Sequence, residues 1–235
     1  MKHTKIKSKF LRYSCSLLLL LLFYSCEKLE VRTPVHLLSG ETVFSDSKTV
    51  ETAILALFAK LRDDALLTGS IKGLSNTLGN YADEVTYVSP NGLGDEPFYR
   101  NALSPTNASV TELWDVSYSI IYGANAIIEG VQDSQYFTQE ERDSFTGESL
   151  FVRALVYFYL TNLYGDIPYI TTTNYLVNKE AYKRSIATLY ENIIADLERA
   201  ITMLPEIDES GAHVRPTKNV AHTLLARCYL YTQQY

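Results

Sequence analysis

The chain has 235 residues, 46% of them hydrophobic and 12% aromatic, with 11 Gly, 7 Pro and 3 Cys. Ample apolar content with so little Gly and Pro excludes a collagen-like, low-complexity or disordered chain, and three cysteines exclude a disulfide-stapled miniprotein. A formal charge of −6 argues against a nucleic-acid binder that works by neutralising phosphates. From the N-terminus, Lys2, Lys5, Lys7, Lys9 and Arg12 precede the apolar run Leu17 to Phe23, with no acid among them. Basic then apolar is the pattern of a secretory leader. The twelve residues from Ser14 to Ser25 fall short of the roughly 20 that span a bilayer, so residues 1–25 are expected to be removed rather than to stay as a membrane helix.

The segment Phe23-Tyr24-Ser25-Cys26 resembles the lipobox of bacterial lipoproteins, in which a small residue precedes a cysteine that receives diacylglycerol and becomes the new first residue. The resemblance implies lipidation at Cys26, with residues 26–44 as a lipidated tether; an ordinary cleavage site leaving Cys26 as a free thiol is the alternative. Losing five basic residues and no acid takes the charge from −6 to −11, which is not a polybasic membrane clamp. Glu27 and Glu30 resemble the acidic export signal that sends lipoproteins of the Bacteroidetes to the cell surface. Once Cys26 is acylated, only Cys228 remains, and no disulfide can form within the chain.

Helices are predicted from about Ser45. Val50, Ile54, Leu57, Phe58, Leu61 and Ala65 recur at helical spacing up to Leu67, with Ser45, Asp46 and Ser47 as possible caps. The segment Tyr87 to Asn107 has three prolines and two glycines and is read as one long irregular loop. Ser109 with Glu112 has capping-box spacing before a second helix running to about Val131, and Thr138 with Glu141 repeats that spacing before a third, Gln139 to Tyr164. The third helix has two apolar stripes and must be covered from both sides. A fourth, Ser185 to Leu204, places Ile186, Leu189, Ile193, Leu197, Ala200 and Leu204 on one row and leaves Glu191, Asp196 and Glu198 off it. A fifth runs from Thr217 to about Gln234. Ile193, Leu197, Ala200 and Pro205, followed by Leu225, Ala226 and Tyr229, have the spacing of consecutive tetratricopeptide helices, in which Ala200 and Ala226 would let backbones approach. Two ordinary amphipathic helices are the alternative on these residues alone.

No catalytic constellation emerges, and the expectation is a protein that is not an enzyme and needs no metal or cofactor. Ser45 to Lys48 has Ser-x-x-Lys spacing, but companion motifs are absent and the segment is a natural helix start. His3, His36, His213 and His222 are scattered, and the acid pairs Asp83-Glu84 and Asp95-Glu96 read as solvated.

Gly147-Glu148-Ser149-Leu150-Phe151-Val152-Arg153-Ala154, continuing to Phe158, and then Leu163-Tyr164-Gly165-Asp166-Ile167-Pro168 resemble the signature of the SusD/RagB family of outer-membrane nutrient-uptake lipoproteins. Trp114 with Tyr118, the Ala124-Asn125 pair and the run from Ala221 to Tyr231 add to the likeness. Physically the motif is structural. Gly165 suits a left-handed helix stop, Asp166 can bond neighbouring amides, Pro168 blocks continuation, and Glu148 and Arg153, five apart, each need a partner on another helix or on backbone. The resemblance implies an all-α, tetratricopeptide-like fold over residues 45–235, incomplete at its C-terminal end. It also implies outer-membrane anchoring facing the exterior, and capture of a nutrient, usually an oligosaccharide, for a SusC-type TonB-dependent transporter. Ligand candidates come from the loop's own composition: Tyr87, Phe98 and Tyr99 offer flat faces, and Asn91, Arg100 and Asn101 offer planar hydrogen-bonding groups. Anchoring of the loop by Phe98 and Tyr99 is the alternative for those two rings. A helical docking protein with no glycan site is the alternative for the whole chain.

Overall fold

The computed structural model describes residues 40–64, 66–88, 96–208 and 214–234. The leader, Cys26, most of the expected tether and Asn91 lie outside the described residues. Helix α1 (Gly40–Val43) is a single turn, and α2 (Ser47–Asp63) follows with Asp46 as its N-cap. The body therefore reaches back beyond Ser45. Phe44 packs on the core against Gly130, where an added Cβ would lie 2.2 Å from the ring, and its carbonyl accepts from Ser134 Oγ at 2.6 Å. Helix α2 buries Val50, Ile54, Leu57 and Leu61 and ends at Asp63, four residues short of the expected Leu67.

Two helices that border the site, like α1 and the short elements between Tyr164 and Ile186, are absent from the sequence expectation. Helix α3 (Leu74–Tyr81) is built from LSNTLGNY, whose Ser, Asn, Thr and Gly are poor helix formers, and α4 (Glu96–Tyr99) is one turn inside the long loop. Tertiary burial of Leu74 and Thr77 outweighs weak propensity in α3. Helix α5 (Ala108–Asp133) is capped by Asn107, whose Oδ1 accepts from the Ser109 and Val110 amides at 2.9 and 3.2 Å. The Ser109–Glu112 capping box is thus corrected. Glu112 instead pairs with Lys72 Nζ at 2.8 Å. Helix α6 (Gln139–Tyr164) does start on the capping box of Thr138 and Glu141, and Ser47 Oγ donates to Glu141 Oε1 at 2.6 Å, tying in the start of α2.

Residues 145–154 of α6 are buried without interruption, which is possible only for a helix covered on more than one side. Helix α5 packs on one flank and α8 (Ile186–Met203) on the other, α9 (Lys218–Tyr231) packs on α8, and α2 lies on α5 and α6. Each long helix after α2 thus rests on its neighbour in sequence, the stacking logic of helical repeats. Between α6 and α8 the chain makes β1 (Ile167–Pro168), the turn α7 (Tyr175–Asn178) and β2 (Lys183–Arg184), with Ile167 paired to Arg184 and Pro168 to Lys183. Ala200 and Ala221 are fully buried where α8 and α9 lie, whereas Ala226 is exposed and plays no part in that approach. Cys228 is buried, and burial pushes its thiol up to about 11.

The core is crossed by one polar network. Arg153 Nε and Nη2 donate to Asp196 Oδ2 and Oδ1, both at 2.7 Å, and Nη1 donates to Asn125 Oδ1 at 2.7 Å. Tyr169 OH donates to Asp196 Oδ2 at 2.6 Å, Asn125 Nδ2 to Ile170 O at 3.1 Å, and the Ile170 amide to Tyr157 OH at 2.6 Å. Asp196, off the apolar row of α8, is therefore not a solvated acid but a buried one. Burial opposes the charge on Arg153, and the Asp196 carboxylate together with Tyr169 and Tyr157 offsets it, leaving the guanidinium above its ordinary value. Removing one partner of a buried pair strands the other. Asp196→Ala is expected to cost about 3–5 kcal/mol in denaturant unfolding, and a loss below about 1 kcal/mol would show that the network carries no such weight.

Glu148 reaches the α8–α9 connection. Its Oε1 accepts from Arg215 Nη2 at 2.7 Å, and its Oε2 lies 2.7 Å from Nε without hydrogen-bonding alignment. Burial raises the Glu148 carboxyl above its ordinary value of 4.5, Arg215 offsets part of this, and Glu51 and Asp208 add to the rise. A raised folded-state pKa means tighter proton binding in the fold. The contribution to stability therefore falls as pH climbs from the ordinary carboxylate value through the raised one. Glu148→Gln is expected to flatten that part of a profile of Tm against pH, and an unchanged slope would contradict the assignment.

Candidate functional site

The turn α4 divides two environments. Tyr99 faces Tyr87, with ring centroids 5.9 Å apart and planes at 26°, and both rings are half-buried. Phe98, the preceding residue, turns to the other side. Of the two readings the sequence left for it, a stacking face or an anchor of the loop, its burial at 5% exposed agrees with the anchor, and it walls a cleft. Arg100 Nε is held by Glu96 Oε1 at 2.6 Å in an exposed i,i+4 pair, and Asn101, exposed, takes a positive φ of 49° as the turn closes. The structure thus brings Tyr87 and Tyr99 together, sends Phe98 inward and ties Arg100 to an acid.

The cleft has a volume of about 460 Å³. Helix α3 supplies Leu74, Thr77, Leu78 and Tyr81, and the opposite walls are Phe98, residues 103–105, Val110 and Leu113 of α5, and Asn162, Leu163 and Tyr164 of α6. Sequence reasoning missed the α3 wall, although 74, 77, 78 and 81 stand at i, i+3, i+4 and i+7. The signal was present but masked by helix-poor residues between the apolar ones.

Tyr164 OH donates to Val110 O at 2.7 Å, and its ring meets Trp114 edge-on at 5.1 Å. Trp114 in turn lies 4.7 Å from Tyr118, whose hydroxyl donates to Pro168 O at 2.7 Å. This aromatic wall lies between the cleft and a smaller one of about 300 Å³ formed with Ile121, Tyr122 and Ile170. Burial pushes Tyr164 up to about 12, with Asp115 adding to it, and pushes Tyr118 upward as well, so neither phenol ionises near neutrality.

The signature residues hold the scaffold. Phe151 and Ala154 are buried in α6, beside Glu148 and Arg153 with the partners described above. Gly165 has φ 74° and ψ −128°, a positive-φ conformation outside the left-handed helical region, so the stop is not the left-handed one expected of it. Asp166 Oδ1 accepts from the Ile186 amide at 3.0 Å, bonding the start of α8 rather than its own neighbours. Among the described residues no group of His, Cys, Asp or Glu side chains is placed to hold a metal ion, and no helix is long and apolar enough to cross a membrane.

Residues 46–230 match the SusD-like family, described as starch-binding and associating with the outer membrane. The chain belongs to the SusD-like family. Two relatives from Formosa agariphila are SusD-like protein P25, 26% identical over 96% of this chain, and SusD-like protein P2, 28% identical over 91%. The chain spans 42% of the length of each. Among solved structures it is similar to a laminarin-binding SusD-like protein, with 24% identity and a TM-score of 0.66 over 80% of this chain and 41% of that one. It is also similar to surface glycan-binding protein A from Bacteroides thetaiotaomicron, with 20% identity and a TM-score of 0.68 over 82% and 40%. These likenesses establish the SusD-like helical fold.

Proposed function

We propose that this SusD-like chain is a non-enzymatic glycan receptor of the outer membrane, anchored through lipid on Cys26, that passes an oligosaccharide to a SusC-type TonB-dependent transporter. The observation that carries the reading is the match of residues 46–230 to a starch-binding family. The paired rings of Tyr87 and Tyr99 support it locally, because sugar rings lie on aromatic faces by dispersion while the phenol tips stay wet. The glycan names borne by the laminarin-binding and surface glycan-binding relatives favour the same ligand class. Tyr87, Tyr99 and the exposed Asn101 are the proposed contacts, with Asn91 and Arg100 from the same loop. Phe98 serves the cleft instead.

Calorimetric titration with laminarin and starch oligosaccharides is expected to show binding that falls about tenfold in Tyr99→Ala, the loss of a contact worth about 1–2 kcal/mol. Equal affinity of wild type and variant would remove Tyr99 from the site. The anchor has its own test: a fatty-acid analogue should label the wild-type protein in cells and leave Cys26→Ala unlabelled, and equal incorporation would contradict lipidation there. A docking role without glycan binding is the second reading. It is favoured by Tyr175, Leu176 and Val177 in α7, which are 74, 66 and 57% exposed.

A further inference from the structure

The single turn α4 sorts its residues by face. The Arg100 amide donates to Glu96 O at 2.9 Å, so helical geometry runs from Glu96 through Arg100. Residues three and four apart on a helix are neighbours, which sets Tyr99 and Arg100 on either side of Glu96, while Phe98 falls on the opposite face. Burial agrees: Phe98 is buried, whereas Arg100 is exposed and Glu96 and Tyr99 are half-buried. The carboxylate that holds Arg100 Nε at 2.6 Å therefore stands next to the ring that stacks on Tyr87.

The charge of this stretch is one-sided. From Asp83 to Asn107 the sequence holds four acids, Asp83, Glu84, Asp95 and Glu96, against a single cation, Arg100. Asp83 and Glu84, four and three residues before Tyr87, are both exposed. Arg100 is the one group of the stretch that attracts an anion, and Glu96 answers its charge. A guanidinium paired in this way still has N–H donors for neutral hydroxyls, but the pair offers no net positive charge to a carboxylate. A uronate laid on Tyr99 would meet the Glu96 carboxylate beside it and gain no compensating partner, a penalty that a neutral sugar escapes.

We infer that Glu96 is a specificity-determining residue of the Tyr87–Tyr99 site: by neutralising Arg100 and repelling anions, it restricts the site to neutral glycans and excludes uronate-bearing ones. The inference rests on the carbohydrate-binding reading above and names the substrate class of that same site. Glu96 need not touch the sugar, since it acts through Arg100 and through its own charge.

The probes are a laminari-oligosaccharide and the same compound oxidised at C6 to its uronate, each titrated calorimetrically into the full chain at low salt. Linkage and length are then equal, and only charge differs. Wild type is expected to bind the neutral sugar about tenfold more tightly than the uronate. Glu96→Gln should narrow that preference about fivefold, because Arg100 is released and one repelling charge is gone. Arg100→Gln should widen it, because Glu96 is left unanswered. Damage to the turn alone would weaken both sugars together and leave the preference where it was, so shifts of opposite sign separate charge from structure. Wild type holding the two sugars equally, or holding the uronate more tightly, would overturn the inference and leave carbohydrate binding standing. An unchanged preference in Glu96→Gln, or a shift of the same sign in both variants, would overturn it as well. A neutral sugar that wild type does not bind, or that Tyr99→Ala holds as tightly as wild type does, would overturn the reading of the site and this inference with it.

Discussion

A guanidinium cannot shed its charge, so burying Arg153 is tolerable only where every face of it is met by an acceptor. Asp196 supplies a bidentate partner from α8 and Asn125 supplies the remaining acceptor from α5. Tyr169 completes the carboxylate from the segment that leaves α6. One side chain on the central helix thereby fixes the positions of three other segments, and a small displacement of any of them would leave a charge or a carbonyl unpaired. Nonpolar packing around Ile121, Leu150 and Ile193 supplies the driving force for assembly, but it is less selective about register than this network.

The consequence extends to the surface. With the exit segment held against α5 and α6, the Pro168 carbonyl lies where Tyr118 can reach it, and Tyr118 in turn supports the Trp114 ring. Trp114 meets Tyr164 edge-on, and Tyr164 walls the apolar cleft. A chain of specific contacts therefore runs from the buried ion pair to the rim. The aromatic residues that make it are largely half-exposed tyrosines whose hydroxyls are spent on backbone carbonyls. The abundance of tyrosine, 18 against a single tryptophan, is accounted for in part by such positions.

The long helices were legible because their signals are local: Thr138 with Glu141 and Ser185 each cap within a few residues, and the apolar rows of α5 and α8 repeat at helical spacing. The cap of α5 was misassigned because Ser109 and Glu112 satisfy the same spacing as a true box, while Asn107, two residues earlier, gets there first. Helix α3 was illegible for the opposite reason, its propensity being poor and its stability coming from burial. In the candidate site, the tyrosines of the loop were visible as residue types, but their sides were not. Adjacent residues of a single turn diverge, and only packing decides that Phe98 goes in while Tyr99 stays beside Tyr87.

By itself the sequence determined the helical class, the presence of the five long helices and the membership that the motif around Glu148 and Arg153 announces, since periodicity and motif are written within short stretches of chain. Only the tertiary structure decided which acid pairs with Arg153, which wall Leu74 and Tyr81 help to build, and which ring of α4 lines the cleft. Those are relations between residues tens of positions apart, set by which surfaces exclude water together, and no local pattern encodes them.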